Sequence, residues 1–256
     1  MKLKLIACNV FFREISLCAA LSPHTIDVEF TDVGEHVHSE SLRQSLQAKI
    51  NAAAASGKYN AIALAFGICG NTTVGLKAVS VPLIIPRAHD CCTILLGDKE
   101  MFHEHFAAHP STPFASAGYM ERSDYFLRAD GNAAPCDCAT DDTCCSNDNF
   151  ADYVTKYGEE NAQFIWDSLH PKRTGEDNRA VFIEIAETAS LGKAEEFRKK
   201  ATAEGKQIVM LTGSLRLLRK LVNCDWDDRD FLVIQPGQRI AGIYDWAEII
   251  RAVPAT

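Results

Sequence analysis

Short apolar runs alternate with amphipathic stretches along this chain, and the alternation predicts a β/α rhythm. "KLKLIAC" sets lysine against apolar residues with period two, as a half-buried strand does. "FREISLCAALS" follows as a helix, and "IDVEFTDV" alternates again as a strand. In "SESLRQSLQAKINAAAASG" the residues Leu42, Leu46 and Ile50 recur at helical spacing, Ser39 and Ser41 offer caps, and Gly57 stops the helix. "YNAIALAFGICGN" and "VPLIIPRAHDCC" open with continuous apolar runs, the pattern of parallel strands covered on both faces. "DKEMFHEHFAAH" is helical. A long helix, "FADYVTKYGEENAQFIWDSL", leads to a second series: "AVFIEIAE" and "QIVMLTG" as strands, "GKAEEFRKKATAEGK" and "SLRLLRKLVN" as helices, then "DFLVIQPG" as a last strand.

The expected fold class is α/β, with a largely parallel sheet or sheets and flanking helices. Two lobes with a cysteine-rich inserted loop describe the pattern best. Residues 1–128 form an N-terminal α/β lobe carrying the His/Cys site, 129–148 the cysteine-rich insertion, and 149–256 a C-terminal α/β lobe. One long sheet is the alternative that the pattern leaves open.

Charge and composition narrow the partners. The chain has 256 residues, 47% of them hydrophobic, and a formal net charge of -8. That is enough to bury a full core. An acidic chain without a basic run is a poor partner for nucleic-acid phosphates or anionic membranes. No apolar run approaches the ~20 residues of a membrane span. The N-terminal "MKLKLIACNVFF" is broken by Asn9 and lacks the pattern of a signal peptide. The expected setting is the cytoplasm, with a small-molecule substrate.

Ten cysteines in a reducing compartment point to metal binding or catalysis before disulfides. Ligands of open parallel sheets bind beyond the carboxyl ends of the strands. Three candidate strand ends carry thiols: "LIACN" ends in Cys8, "AFGICGN" in Cys69, and "RAHDCC" supplies His89, Cys91 and Cys92. If those strands are neighbours, the groups meet in one crevice. Zinc takes thiolate and imidazole, and a catalytic site keeps one position open. Cys69, His89 and Cys91, with Cys8 as spare or fourth ligand, form such a set. In an extended segment His-x-Cys puts both groups on one side, with Asp90 turned away as a supporting partner. Arg87 offers an anion-matching fork, and Gly70 and Asn71 offer backbone at the same rim. Two rivals stand beside the metal reading. Cys8 and Cys69 would serve a racemase or lyase of the Asp/Glu racemase type as a metal-free acid–base pair, or the thiols are buried and inert.

The segment "RADGNAAPCDCATDDTCCSNDN" is a second candidate. Cys136, Cys138, Cys144 and Cys145 lie within ten residues and could hold a second zinc or an iron–sulfur cluster. A metal- or cofactor-carrying accessory protein would use that loop. His36 and His38 are weaker candidates for the crevice, and Cys18 and Cys224 read as core.

"ACNVFFREI", "FGICGNTTVGL", "PRAHDCCTILLGDKE", "YGEENAQF" and "LRLLRKLVNCDWDDRDFLVIQPGQRI" together resemble an uncharacterised family, domain of unknown function 1638. The resemblance runs from the first strand to about Ile240, and "RAHDC" followed by "LLG" is its most specific element. It covers Cys8, Cys69, His89, Asp90 and Cys91, with Gly70 and Asn71. The loop from Cys136 to Cys145 lies outside the usual pattern. The resemblance implies a protein of an anaerobe or methanogen, associated with corrinoid-dependent methyl transfer. The expected function is therefore a zinc-dependent methyltransferase that passes a methyl group to a metal-activated thiol, with a corrinoid protein as partner.

Overall fold

The computed structural model describes residues 1–32, 39–109, 112–122, 154, 159, 178–243, 245 and 248–255. The expected long helix over 150–169, apart from residues 154 and 159, lies outside the described residues, as do His36, His38 and the four cysteines Cys136, Cys138, Cys144 and Cys145.

The chain opens with β1 (Lys2–Cys8), where Leu3 and Leu5 are buried and Lys2 and Lys4 stay half-exposed. A short 3-10 turn (Asn9–Phe11) leads into α1 (Phe12–Leu21), followed by β2 (Thr25–Thr31), α2 (Ser39–Ala55) and β3 (Ala61–Ala65). All five residues of β3 are buried, the signature of a central strand. Then come β4 (Leu83–Pro86), the short helices α3 (Cys91–Leu96) and α4 (Lys99–Phe106), β5 (Phe114–Ala115) and α5 (Ala117–Arg122). The second series is β6 (Arg179–Glu184), a 3-10 stretch (Ala186–Leu191), α6 (Lys193–Ala203), β7 (Gln207–Thr212), α7 (Arg216–Val222), β8 (Phe231–Ile234), β9 (Gln238–Gly242) and β10 (Ile250–Pro254).

The main sheet has five strands in the order β2-β1-β3-β4-β8. Its first four are parallel, and β8 adds antiparallel at the edge against β4. A second sheet, β5-β6-β7, is parallel throughout, and β9 and β10 pair antiparallel. The architecture is α/β with mostly parallel sheets, as the alternation predicts. The chain crosses between sheets. β5 precedes β6 by more than sixty residues, yet pairs with it, and β8 returns to the sheet that the first strands built. No helix among the described residues is long and apolar enough to cross a membrane.

Three caps explain where the helices after β4 start and stop. The Asp90 carboxylate accepts from the Thr93 N–H at 3.1 Å and opens α3. Gly97, at φ 80°, ends it in the left-handed conformation. Asp98 opens α4 by accepting from the Glu100 N–H at 2.9 Å.

One buried carboxyl is out of keeping with this packing. Glu14 on α1 is fully buried, and neither of its oxygens has a hydrogen-bond partner among the described residues. Burial pushes its pKa up; its own backbone amide opposes the shift, and the Glu121 charge adds to it. Below the ordinary carboxylate pKa both folded and unfolded chains hold the proton, and Glu14 carries no penalty. As pH rises through the raised folded value, the unfolded chain ionises first and the fold loses stability. Glu14→Gln is therefore expected to raise stability at pH 7 by about 1 kcal/mol or more. The gain should shrink towards pH 4. Thermal melts at the two pH values check it, and an equal gain at both would rule out ionisation as the cause.

Candidate functional site

β1, β3 and β4 lie side by side, so the segments leaving their carboxyl ends come together at one rim of the sheet. Cys8 ends β1 and is 1% exposed. The other two segments are tied by backbone hydrogen bonds beyond the strands. The Ile68 N–H donates to Ala88 O, and the Cys69 N–H to His89 O, both at 2.9 Å. Gly67 makes this approach possible, since a Cβ there would lie 2.6 Å from the Asp90 nitrogen.

Three consecutive residues at this rim, Cys69, Gly70 and Asn71, have positive φ (44°, 61° and 69°). Two of them are not glycine, and such backbone persists only where surrounding contacts hold it. Those contacts are present. The Thr72 hydroxyl donates to Cys69 O at 2.8 Å and the buried Thr73 hydroxyl to Gly67 O at 3.1 Å. Arg43 of α2 donates to Asn71 O at 3.0 Å and to Thr72 O at 3.3 Å.

The thiols converge. Cys91, the first residue of α3, is 3% exposed, and its side chain is in hydrogen-bonding contact with both Cys69 and Cys8. Those contacts, then burial, push the Cys91 pKa well up. Cys69 is the half-exposed member of the set. Cys92 points into the core and is also pushed up, by burial. Burial raises Asp90 to about 7, with the Cys69 charge adding to it and the Thr93 and Cys92 amides opposing it.

The His89 ring stacks on Phe102 of α4, with centroids 5.3 Å apart at 26°. Burial lowers its pKa to about 4, and its charged neighbours are Asp245, His103 and Lys99. Asp90 caps α3 with extended backbone (φ −159°, ψ −171°), and Cys91 is the first residue of that helix.

Arg87 also departs from its expected role of orienting an anion. It is 8% exposed. Its Nε donates to Asp228 O at 2.8 Å, and its Nη1 to Glu248 O at 3.0 Å and Ile250 O at 2.6 Å. Its Nη2 donates to the Asp228 carboxylate at 2.8 Å. The guanidinium is a structural tie. Cys18 lies buried in α1, and Cys224 follows α7 in a half-buried turn.

Tyr119 of α5 is a site residue that the sequence did not suggest. Burial pushes its phenol well up, and the charges that add to the shift are Cys91, Cys8, Asp90 and Cys69. Its ring meets Phe114 edge-on at 5.3 Å. No motif marks it. α5 is seated on the turn that follows Cys8 through the contact of Gly118 with Val10. Among the described residues, no group of three or more His, Cys, Asp and Glu side chains is already spaced to hold a metal ion.

A family model described as "Protein of unknown function (DUF1638)" matches residues 30–222. That span starts later and ends earlier than the resemblance read from the motifs, so Cys8 falls outside it. No curated protein and no solved structure matches the chain.

Proposed function

We propose, for a chain that belongs to the DUF1638 family of proteins of unknown function, a thiolate-centred group-transfer activity in which Cys8, Cys69 and Cys91 hold a soft metal ion, zinc in the first place. One observation carries the reading: three thiols from three adjacent chain segments meet around Cys91. His89 is left out of the ligand set because its ring belongs to the Phe102 stack.

Thiolate is the donor type that such an ion takes. Neutral thiols pack in a core as small hydrophobes, whereas thiolates are the ligands that soft cations select. The raised pKa of Cys91 leaves it protonated at neutral pH unless a cation stabilises its charge. Bound zinc would hold a substrate thiol as the thiolate at neutral pH, ready to accept an alkyl group. The chain supplies the rest. Cys8 and Cys91 anchor from the buried side, Cys69 stands towards the exposed Gly70, and Asp90 fixes the start of α3. Methyl as the transferred group, and a corrinoid protein as its carrier, are what the family resemblance implies.

The metal-free racemase reading needs two thiols facing each other across a substrate carbon. Cys8 and Cys69 both rest against Cys91 instead.

Elemental analysis of protein purified without oxygen tests the proposal. The expected result is about one zinc per chain attributable to this site, and at least tenfold weaker retention in Cys91→Ser. Zinc content unchanged by Cys91→Ser would overturn it.

A further inference from the structure

Two sulfurs of different accessibility touch at the rim of the main sheet. Cys69 is half-exposed in the turn after β3, whereas Cys91 is 3% exposed at the start of α3. Their segments are tied together by backbone. The Cys69 N–H donates to His89 O at 2.9 Å, and a Cβ on Gly67 would lie 2.6 Å from the Asp90 nitrogen. The Cys69 and Cys91 side chains are in hydrogen-bonding contact. Thr72, Thr73 and Arg43 hold the positive-φ turn around Cys69, so its sulfur is presented from a fixed backbone.

A disulfide needs two cysteines whose side chains already approach each other, and a reagent must reach at least one of the sulfurs. This pair meets both conditions. Cys8, Cys18 and Cys92 are at most 3% exposed, too deep for a reagent to reach first. We propose that Cys69 and Cys91 are a redox-active pair that closes to a disulfide on reaction with a low-molecular-weight disulfide. In the first step the Cys69 sulfur attacks one sulfur of the reagent. The reagent's S–S bond breaks, and one small thiol leaves with the Cys69 proton. In the second step the Cys91 sulfur attacks the Cys69 sulfur of the mixed disulfide. The mixed bond breaks, and a second small thiol leaves with the Cys91 proton. The protein gives up two electrons and two protons, and the reagent is reduced to two thiols. Closure links the exit of β3 to the start of α3. It takes two of the three rim thiols out of use until a reductant reopens the bond. No metal enters these steps, so the pair stands or falls apart from the zinc reading.

The test uses the full chain, reduced and freed of metal with a chelator. It is exposed to glutathione disulfide, quenched with acid and alkylated, and its tryptic fragments are mapped by mass. Cys69 lies in the fragment 59–77, and Cys91 lies with Cys92 in the fragment 88–99. The parent should yield these two fragments joined, and dithiothreitol should separate them. The same join in Cys92→Ala assigns the link to Cys91. In Cys91→Ala nothing resolves the mixed disulfide, so glutathione should accumulate on Cys69 to about ten times the parent's level. Cys69→Ala should leave fragment 88–99 unjoined. Three results would overturn the pair: a glutathione adduct on Cys69 that persists in the parent, a Cys69 that does not react, or a join between fragment 88–99 and any fragment other than 59–77.

Discussion

Gly118→Ala is expected to destabilise the protein by about 3 kcal/mol, a large loss for a single methyl group. The added Cβ would overlap the Val10 carbonyl oxygen and lie 2.8 Å from the Val10 carbonyl carbon. Both partners are backbone, so no rotamer change relieves the overlap. Val10 is buried in the turn directly after Cys8, and α5 carries Tyr119. Either the helix lifts away or the turn shifts, and both movements disturb the thiols. Gly118 does not have positive φ, so the loss is one of packing rather than backbone conformation. Gly70→Ala is the matched control. Gly70 has φ 61° and open space around it, and its substitution should cost only about 1 kcal/mol through backbone strain. Urea denaturation midpoints compare the two. Equal losses would mean that α5 and the turn after Cys8 do not pack as closely as described.

The contrast shows which parts of the site a sequence can carry. Cys8, Cys69 and Cys91 were legible because each follows an apolar run, and a strand end in a parallel sheet is where ligands are met. β1 to β4 and β6 to β8 were legible from the same runs, whereas β5, β9 and β10, which follow the expected last strand or fall outside any apolar run, were not. Partner choice was not. That β8 would cross back to pair with β4, and that β5 would join β6, depends on contacts between segments far apart in the chain. Tyr119 was silent for the same reason, since its place within the field of the thiols depends on α5 docking on Val10. His89 was legible as a residue beside the site, but its stack on Phe102 was not, because that depends on how α4 packs against the segment. Arg87 was misread as a rim residue. A buried structural arginine and a substrate-binding one look alike in sequence, and only the acceptors around the guanidinium separate them.

Those acceptors set the second large effect. Arg87→Met is expected to cost about 3 to 4 kcal/mol in denaturant unfolding. The methionine keeps an apolar stem of similar reach but withdraws donors from the carbonyls of Asp228, Glu248 and Ile250. These bonds tie the end of β4 to the turn before β8 and to the start of β10. The ion pair with Asp228 contributes little of this, because the Asp228 side chain is 94% exposed and water screens the charge. Asp228→Ala should therefore shift stability by only about 0.5 kcal/mol. Arg87→Lys should recover less than half of the loss, since an ammonium is a point donor and cannot span three carbonyls from one plane. A substrate-orienting arginine would behave differently. Its lysine variant would fold as well as the parent and show the change in KM instead, so the denaturation midpoint alone tells the two roles apart.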